Sequence, residues 1–154
     1  MSDSVQLKGS CLVLVRDARD GVLLSASRHT NTLFTNWKQS IVADLINATT
    51  LSQPKVMAFS KDVVAASPTP TAFTNEFRGA ASIYSTGSTI QIISVLGATE
   101  GNSPSGNIKT IGFYYGVDAT TTLLTGTLAS IINTLNVAKD STKEVTFQYD
   151  VTIS

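Results

Sequence analysis

A mainly β, two-sheet antiparallel β-sandwich of jelly-roll type is the fold class this sequence predicts. Three observations carry that expectation: short stretches of period-two hydrophobicity along the chain, turn-forming residues between them, and a single stretch of helical period. The clearest period-two stretch is the last, residues 143–153. Val145, Phe147, Tyr149, Val151 and Ile153 fall on one face, and Thr146, Gln148, Asp150 and Thr152 on the other. Side chains alternate across a strand, so this pattern fixes one buried and one polar face.

The first element, residues 5–15, also reads as a strand. Val5, Leu7, Cys11, Val13 and Val15 alternate with Gln6, Lys8 and Ser10. Beyond Ser10 both faces are apolar, which predicts a strand passing between two layers. Arg16-Asp-Ala-Arg-Asp-Gly21 follows as a hairpin turn, its Asp-Gly pair supplying the positive φ such turns need, and residues 22–27 return antiparallel.

Helical spacing appears once. Trp37, Ile41 and Leu45 recur every fourth residue and stack on one face, predicting a short α-helix around residues 36–47 with Trp37 buried. Asn36 with Gln39 three residues on has the form of a capping box, and Asn47 is suited to the left-handed end of a helix.

Strand signals then resume at 55–60, 79–84, 89–96, 108–115 and 126–132. Between them lie an Ala/Ser/Pro/Thr loop (65–74), a Gly/Asn/Ser/Pro connection (97–106) expected to be long and flexible, and a Thr-rich loop (117–125). Gly112 interrupts its strand and marks a bulge or a close neighbour. About eight short strands separated by turn chemistry fit a sandwich. The 154 residues form one domain, 1–154, large enough to bury a core.

Charged residues make up only 14% of the chain and the formal net charge is zero. Nucleic acid is therefore not the expected partner, since phosphate binding needs a local excess of Lys and Arg. A surface without net charge associates readily, which suits an assembly. No stretch is long and apolar enough for a membrane span, and Met-Ser-Asp-Ser does not open a signal peptide. Cys11 is the only cysteine, within an apolar stretch, and reads as a small buried hydrophobe.

Catalytic, cofactor-binding and metal-binding residues are all predicted to be none, and the chain is read as not an enzyme. His29 is the only histidine, and no Gly-x-Ser-x-Gly elbow, phosphate loop, dinucleotide fingerprint or zinc spacing occurs. Asp17 and Asp20 read as turn caps rather than calcium ligands. Glu76, Glu100 and Glu144 lie in separate segments. Phe113, Tyr114 and Tyr115 are consecutive, so a strand points Tyr114 away from the other two. That second face is expected to be covered by the other sheet or a neighbouring subunit, with a ligand platform as the alternative.

Taken in order, several segments resemble a family of small bacteriophage virion proteins. They are Leu7-Lys-Gly, the turn Arg16-Asp-Ala-Arg-Asp-Gly21, the helix Thr35-Asn-Trp-Lys-Gln-Ser-Ile-Val-Ala-Asp-Leu45, Thr110-Ile-Gly-Phe-Tyr-Tyr115, Thr125-Gly-Thr-Leu-Ala129 and Lys143-Glu-Val-Thr-Phe-Gln-Tyr149. The family's Gly-Thr-Gly after the helix is here Phe59-Ser-Lys61. The resemblance implies a β-sandwich in the virion, assembled in the host cytoplasm, serving as a capsid cement or decoration protein. Its implied partners are itself, as a homotrimer, and the major capsid protein. A tail, baseplate or fibre component, partnered by tail or baseplate proteins, is the alternative. A carbohydrate-binding module using Trp37 or Tyr114 as stacking platforms is a further alternative. The N-terminus and the 68–74 and 97–106 loops are the expected contact elements.

Overall fold

A computed structural model describes residues 6–49, 53–67, 72–116, 119–122 and 125–154, with Leu45 and Ile153 described in backbone alone. The proposed N-terminal contact element, up to Val5, and Pro68, Thr69, Pro70 and Thr71 of the proline-threonine loop lie outside the described residues.

Two antiparallel five-stranded sheets face one another around a shared apolar core, with one helix beside them. In chain order the elements are β1 (Leu7–Asp17), β2 (Leu23–Thr30), β3 (Thr32–Leu33), α1 (Thr35–Asn47), β4 (Pro54–Ser60), β5 (Glu76–Ala80), β6 (Ser82–Thr86), β7 (Thr89–Leu96), β8 (Thr110–Tyr115), β9 (Thr127–Ile132) and β10 (Lys143–Ile153). The first sheet has the order β2-β1-β10-β7-β6 and the second β3-β9-β8-β4-β5.

β10 lies at the centre of the first sheet because its alternation is unbroken. Val145, Phe147, Tyr149 and Val151 are all fully buried. Register places them beside Val15, Val13, Cys11 and Gly9 of β1, and beside Leu96, Ser94, Ile92 and Ile90 of β7. From the second sheet Met57, Phe59, Ile111, Phe113 and Tyr115 complete the same core. Phe113 is its hub: Trp37 and Tyr149 each meet it edge-on at 5.1 Å, an arrangement aromatic quadrupoles favour.

The sheets are joined at both margins by strands that change sheet across a single residue. β2 leaves the edge of the first sheet, passes Asn31, and becomes β3 at the edge of the second. β5 leaves the other edge of the second sheet, passes Ala81, and becomes β6 in the first. The expected 79–84 strand is thus two strands meeting at a bend, a way in which sandwiches form corners. Each bend has a glycine beside it. A Cβ on Gly9 would stand 2.0 Å from Asn31 Oδ1, and one on Gly79 would stand 3.1 Å from Ser94 Oγ. At the first bend Asn31 Nδ2 donates to Ser130 Oγ (2.7 Å); at the second, Ser94 Oγ donates to the Ala80 carbonyl (3.0 Å).

Three local expectations are corrected. The helix begins at Thr35 with Phe34 as its N-cap and has no side-chain cap, so Asn36 and Gln39 form no capping box. Phe34 is buried and its N–H bonds to the Ala129 carbonyl (3.0 Å), so tertiary packing sets the entry point. The left-handed residue at the helix end is Ala48 (φ 50°), not Asn47, whose Nδ2 bonds back to the Ala43 carbonyl. Finally, β1 does not pass between two layers: Leu12 and Leu14 are half-buried on the outer face of the first sheet. The strand covered on both sides is β8, where all six residues are buried.

The facing of β10 yields a stability prediction. Phe147→Ala or Tyr149→Ala is expected to cost about 3–5 kcal/mol through lost burial and a residual cavity. Thr146→Ala should stay within about 0.5 kcal/mol. The Tyr149 hydroxyl is fully buried and makes no more than a weak contact with Ser130, so Tyr149→Phe should hold or raise the melting temperature. Denaturant titration of the four variants checks this; equal losses at Phe147 and Thr146 would contradict the facing.

Candidate functional site

The outer face of the second sheet carries a buried group of polar side chains. Its basis is a trough of small residues. Ala58 on β4 stands in register with Arg78 of β5 on one side and Gly112 of β8 on the other. The Arg78 side chain crosses Ala58 and lies over the ring of Tyr114, 4.1 Å from its centroid. Phe73 packs beside the same ring. A Cβ on Gly112 would come within 2.9 Å of the Phe73 ring and 2.6 Å of the Ser130 carbonyl, so only glycine leaves room.

Charge balance at this trough comes from Glu76, two residues before Arg78 and on the same strand face. The two side chains form an ion pair and are 1% and 0% exposed. Glu76 Oε2 also accepts from the Phe73 N–H (2.6 Å). Arg78 Nη1 donates to the Thr125 carbonyl (2.7 Å) and lies near the Thr120 and Thr122 carbonyls. The pair therefore ties Phe73 on one side and Thr120, Thr122 and Thr125 on the other down over the sheet. Burial, followed by the Glu76 charge, pushes the Tyr114 hydroxyl well above its ordinary range.

Tyr114 does point away from Phe113 and Tyr115, as the strand period requires. Its cover is not the first sheet, however. A smaller cluster surrounds it, half from connections of the chain (Phe34, Phe73 and Ala119) and half from the neighbouring strands of its own sheet (Ala58, Leu128 and Ile131). Trp37 is 1% exposed and Tyr114 fully buried, so neither offers a face for sugar stacking.

Other residues weighed in the sequence fall on separate elements. Asp17 accepts from the N–H and guanidinium of Arg19, which holds its carboxyl at about 2. Asp20 Oδ1 accepts from the Val22 N–H (3.0 Å). Both thus act as turn caps. His29 Nε2 meets Ser27 Oγ at 3.0 Å. Glu100 Oε2 accepts from the Gly97 N–H (2.9 Å), and Glu144 stands opposite Arg16 in the ladder. Among the described residues no three His, Cys, Asp or Glu side chains gather in metal-binding geometry, and no helix is long and apolar enough to cross a membrane.

The 97–106 connection is tied down rather than loose. Asn102 Nδ2 donates to the Ala98 carbonyl (2.7 Å), Lys139 Nζ to Asn102 Oδ1 (2.8 Å), and Lys61 Nζ to the Gly106 carbonyl (2.6 Å). Lys61 and Lys139 are only 5% and 4% exposed. Sequence reading missed both, as it missed Arg78. Glu76-Phe-Arg78 does carry a signal, opposite charges two apart on a strand, but isolated lysines in loops carry none.

The first sheet presents a different outer face. Half-buried Leu12, Leu14 and Ile93 and exposed Val95 and Tyr84 are interspersed with Thr146, Gln148 and Thr152. Arg28 and Asp150, 3.6 Å apart, offset each other there. This face is broad and close to neutral.

No protein-family model, curated protein or solved structure matches the chain.

Two predictions follow from these environments. Removing one buried partner, by Glu76→Gln or Arg78→Met, should cost about 3–5 kcal/mol, because the other charge is left uncompensated. The double variant should lose less than the sum, as measured by urea denaturation. Cys11 is fully buried, and desolvation pushes its thiol from 9.0 up to about 12. It should resist alkylation at pH 8 until the chain unfolds. Because the folded value is the higher one, this thiol's stabilising contribution is intact below pH 9 and is lost as pH rises toward 12. Rapid labelling of native protein would contradict the burial.

Proposed function

We propose that the chain is a non-enzymatic structural protein of a virus particle, a capsid cement or decoration protein that stabilises the head by covering joints between capsid subunits. The observation that carries this reading is the outer face of the first sheet. It is broad and nearly neutral, and it mixes threonine and glutamine with half-exposed leucine, isoleucine, valine and tyrosine. Such a surface binds by excluding water over a large area rather than by long-range charge. The ordered resemblance to small phage virion proteins points the same way. Buried polar groups elsewhere, Glu76 with Arg78 above all, are used to hold connecting segments.

A cement protein contributes free energy through apolar area buried at repeated sites, commonly as a symmetric oligomer. A homotrimer contacting the major capsid protein fits that requirement. The tail or baseplate reading shares the fold and the surface and differs in copy number. The carbohydrate-binding reading loses support, since Trp37 and Tyr114 are buried.

Quantitative mass spectrometry of purified particles separates these roles. Cement predicts on the order of hundreds of copies per particle, as repeated capsid sites require. A handful of copies would move the protein to the tail, and its absence from particles would overturn the proposal. Val95→Asp with Leu14→Asp should lower particle occupancy at least about tenfold, the loss of a hot-spot residue or two. The fold should remain intact, as read by circular dichroism.

A further inference from the structure

The helix and the two lysines sit at opposite ends of the sandwich. β8 ends at Tyr115, whose hydroxyl meets Ser40 of α1 at 3.2 Å, and begins at Thr110, opposite Ser60 and next in sequence to Lys61. At the Lys61 end, a cavity of about 370 Å³ opens between the 97–107 and 138–141 segments. Asn102, Ser105, Gly106, Asn107, Lys139 and Ser141 are among the residues that line it.

Two features set this cavity apart. Lys139 and Lys61 are almost wholly withdrawn from solvent, yet neither ammonium lies within ion-pair distance of a carboxylate among the described residues. Buried charge is costly unless it is paired. Lys139 uses two of its three donors, on Asn102 Oδ1 and the Asp140 carbonyl (3.0 Å). Lys61 uses one, on the carbonyl of Gly106 in the cavity wall. The Asp140 carboxylate, also in the wall, is already engaged by Lys143 and by the Thr142 N–H and hydroxyl. Burial lowers the affinity of both lysines for their protons, and the charge of Asp140, with that of Glu100 at Lys139, offsets this only in part; a bound anion would offset more.

We propose that this cavity is a binding site for a small oxyanion, a phosphate or carboxylate group, held by Lys139 and by the hydroxyls of Ser105 and Ser141, with the Lys61 charge behind the wall. The oxyanion supplies the countercharge that the two ammonium groups lack, and the seryl hydroxyls orient it. The site is formed by the 97–107 and 138–141 segments and not by the outer face of the first sheet, so its test does not depend on the proposed capsid role.

Thermal melting of the full chain tests the assignment, with sodium phosphate or sodium acetate replacing chloride at constant ionic strength. The melting temperature should rise with one or both anions, by about 3–6 °C at ten times the dissociation constant. A rise with phosphate identifies a phosphate group as ligand. A rise with acetate alone identifies a carboxylate of the side-chain type. Lys139→Met should abolish the response. Ser141→Glu, at an exposed position, should also abolish it by placing a carboxylate in the cavity, even if the lysine variant folds poorly. No rise beyond the chloride control, or an undiminished rise in Ser141→Glu, would overturn the proposal.

Discussion

The buried ion pair of Glu76 and Arg78 is the constraint on which the second sheet depends. A sheet with an aromatic row on each face must cover both. Here Phe113 and Tyr115 turn toward the first sheet, while Tyr114 turns outward. The chain covers Tyr114 with Arg78, Phe73 and Ala119, and Glu76 makes the arginine tolerable in that dry position. Desolvating both charges is costly, so the pair's value lies less in net stability than in fixing where the covering segments land. Ala58 and Gly112 are the steric side of the same arrangement, since larger side chains would fill the trough the guanidinium crosses.

This arrangement explains how much of the fold was legible in the sequence. Periodicity in β10 reports a face, and a face is what the first sheet uses, so that strand and its facing were readable. So was the hairpin at Gly21, whose φ of 73° needs a residue without a Cβ penalty. The strand changes at Asn31 and Ala81 were not. An extended chain that bends between sheets keeps its extended backbone and has no call for Pro or Gly at the bend itself. β2 was read short because its residues are almost all exposed at a sheet edge, which leaves little hydrophobic period.

The candidate sites were less legible than the fold, and for a related reason. Glu76, Arg78, Lys61 and Lys139 are charged residues whose burial is decided by segments distant in sequence: Thr125 over Arg78, Gly106 beside Lys61, Asn102 beside Lys139. Local sequence carries no record of those contacts. The two outer faces consequently differ in character. That of the second sheet is covered by the chain's own segments, whereas that of the first remains available to another molecule. The structural role we propose would use the first and rely on the second only for rigidity.

The central claim, that one ion pair holds the covering segments over Tyr114, is tested most directly by amide hydrogen exchange on Arg78→Lys. Lysine keeps the charge but cannot reach Glu76 and the Thr120, Thr122 and Thr125 carbonyls with one planar group. The account predicts lost protection at the Phe73 and Thr120 amides, while amides of β10 exchange as slowly as before. Unchanged protection at Phe73 and Thr120 would contradict it.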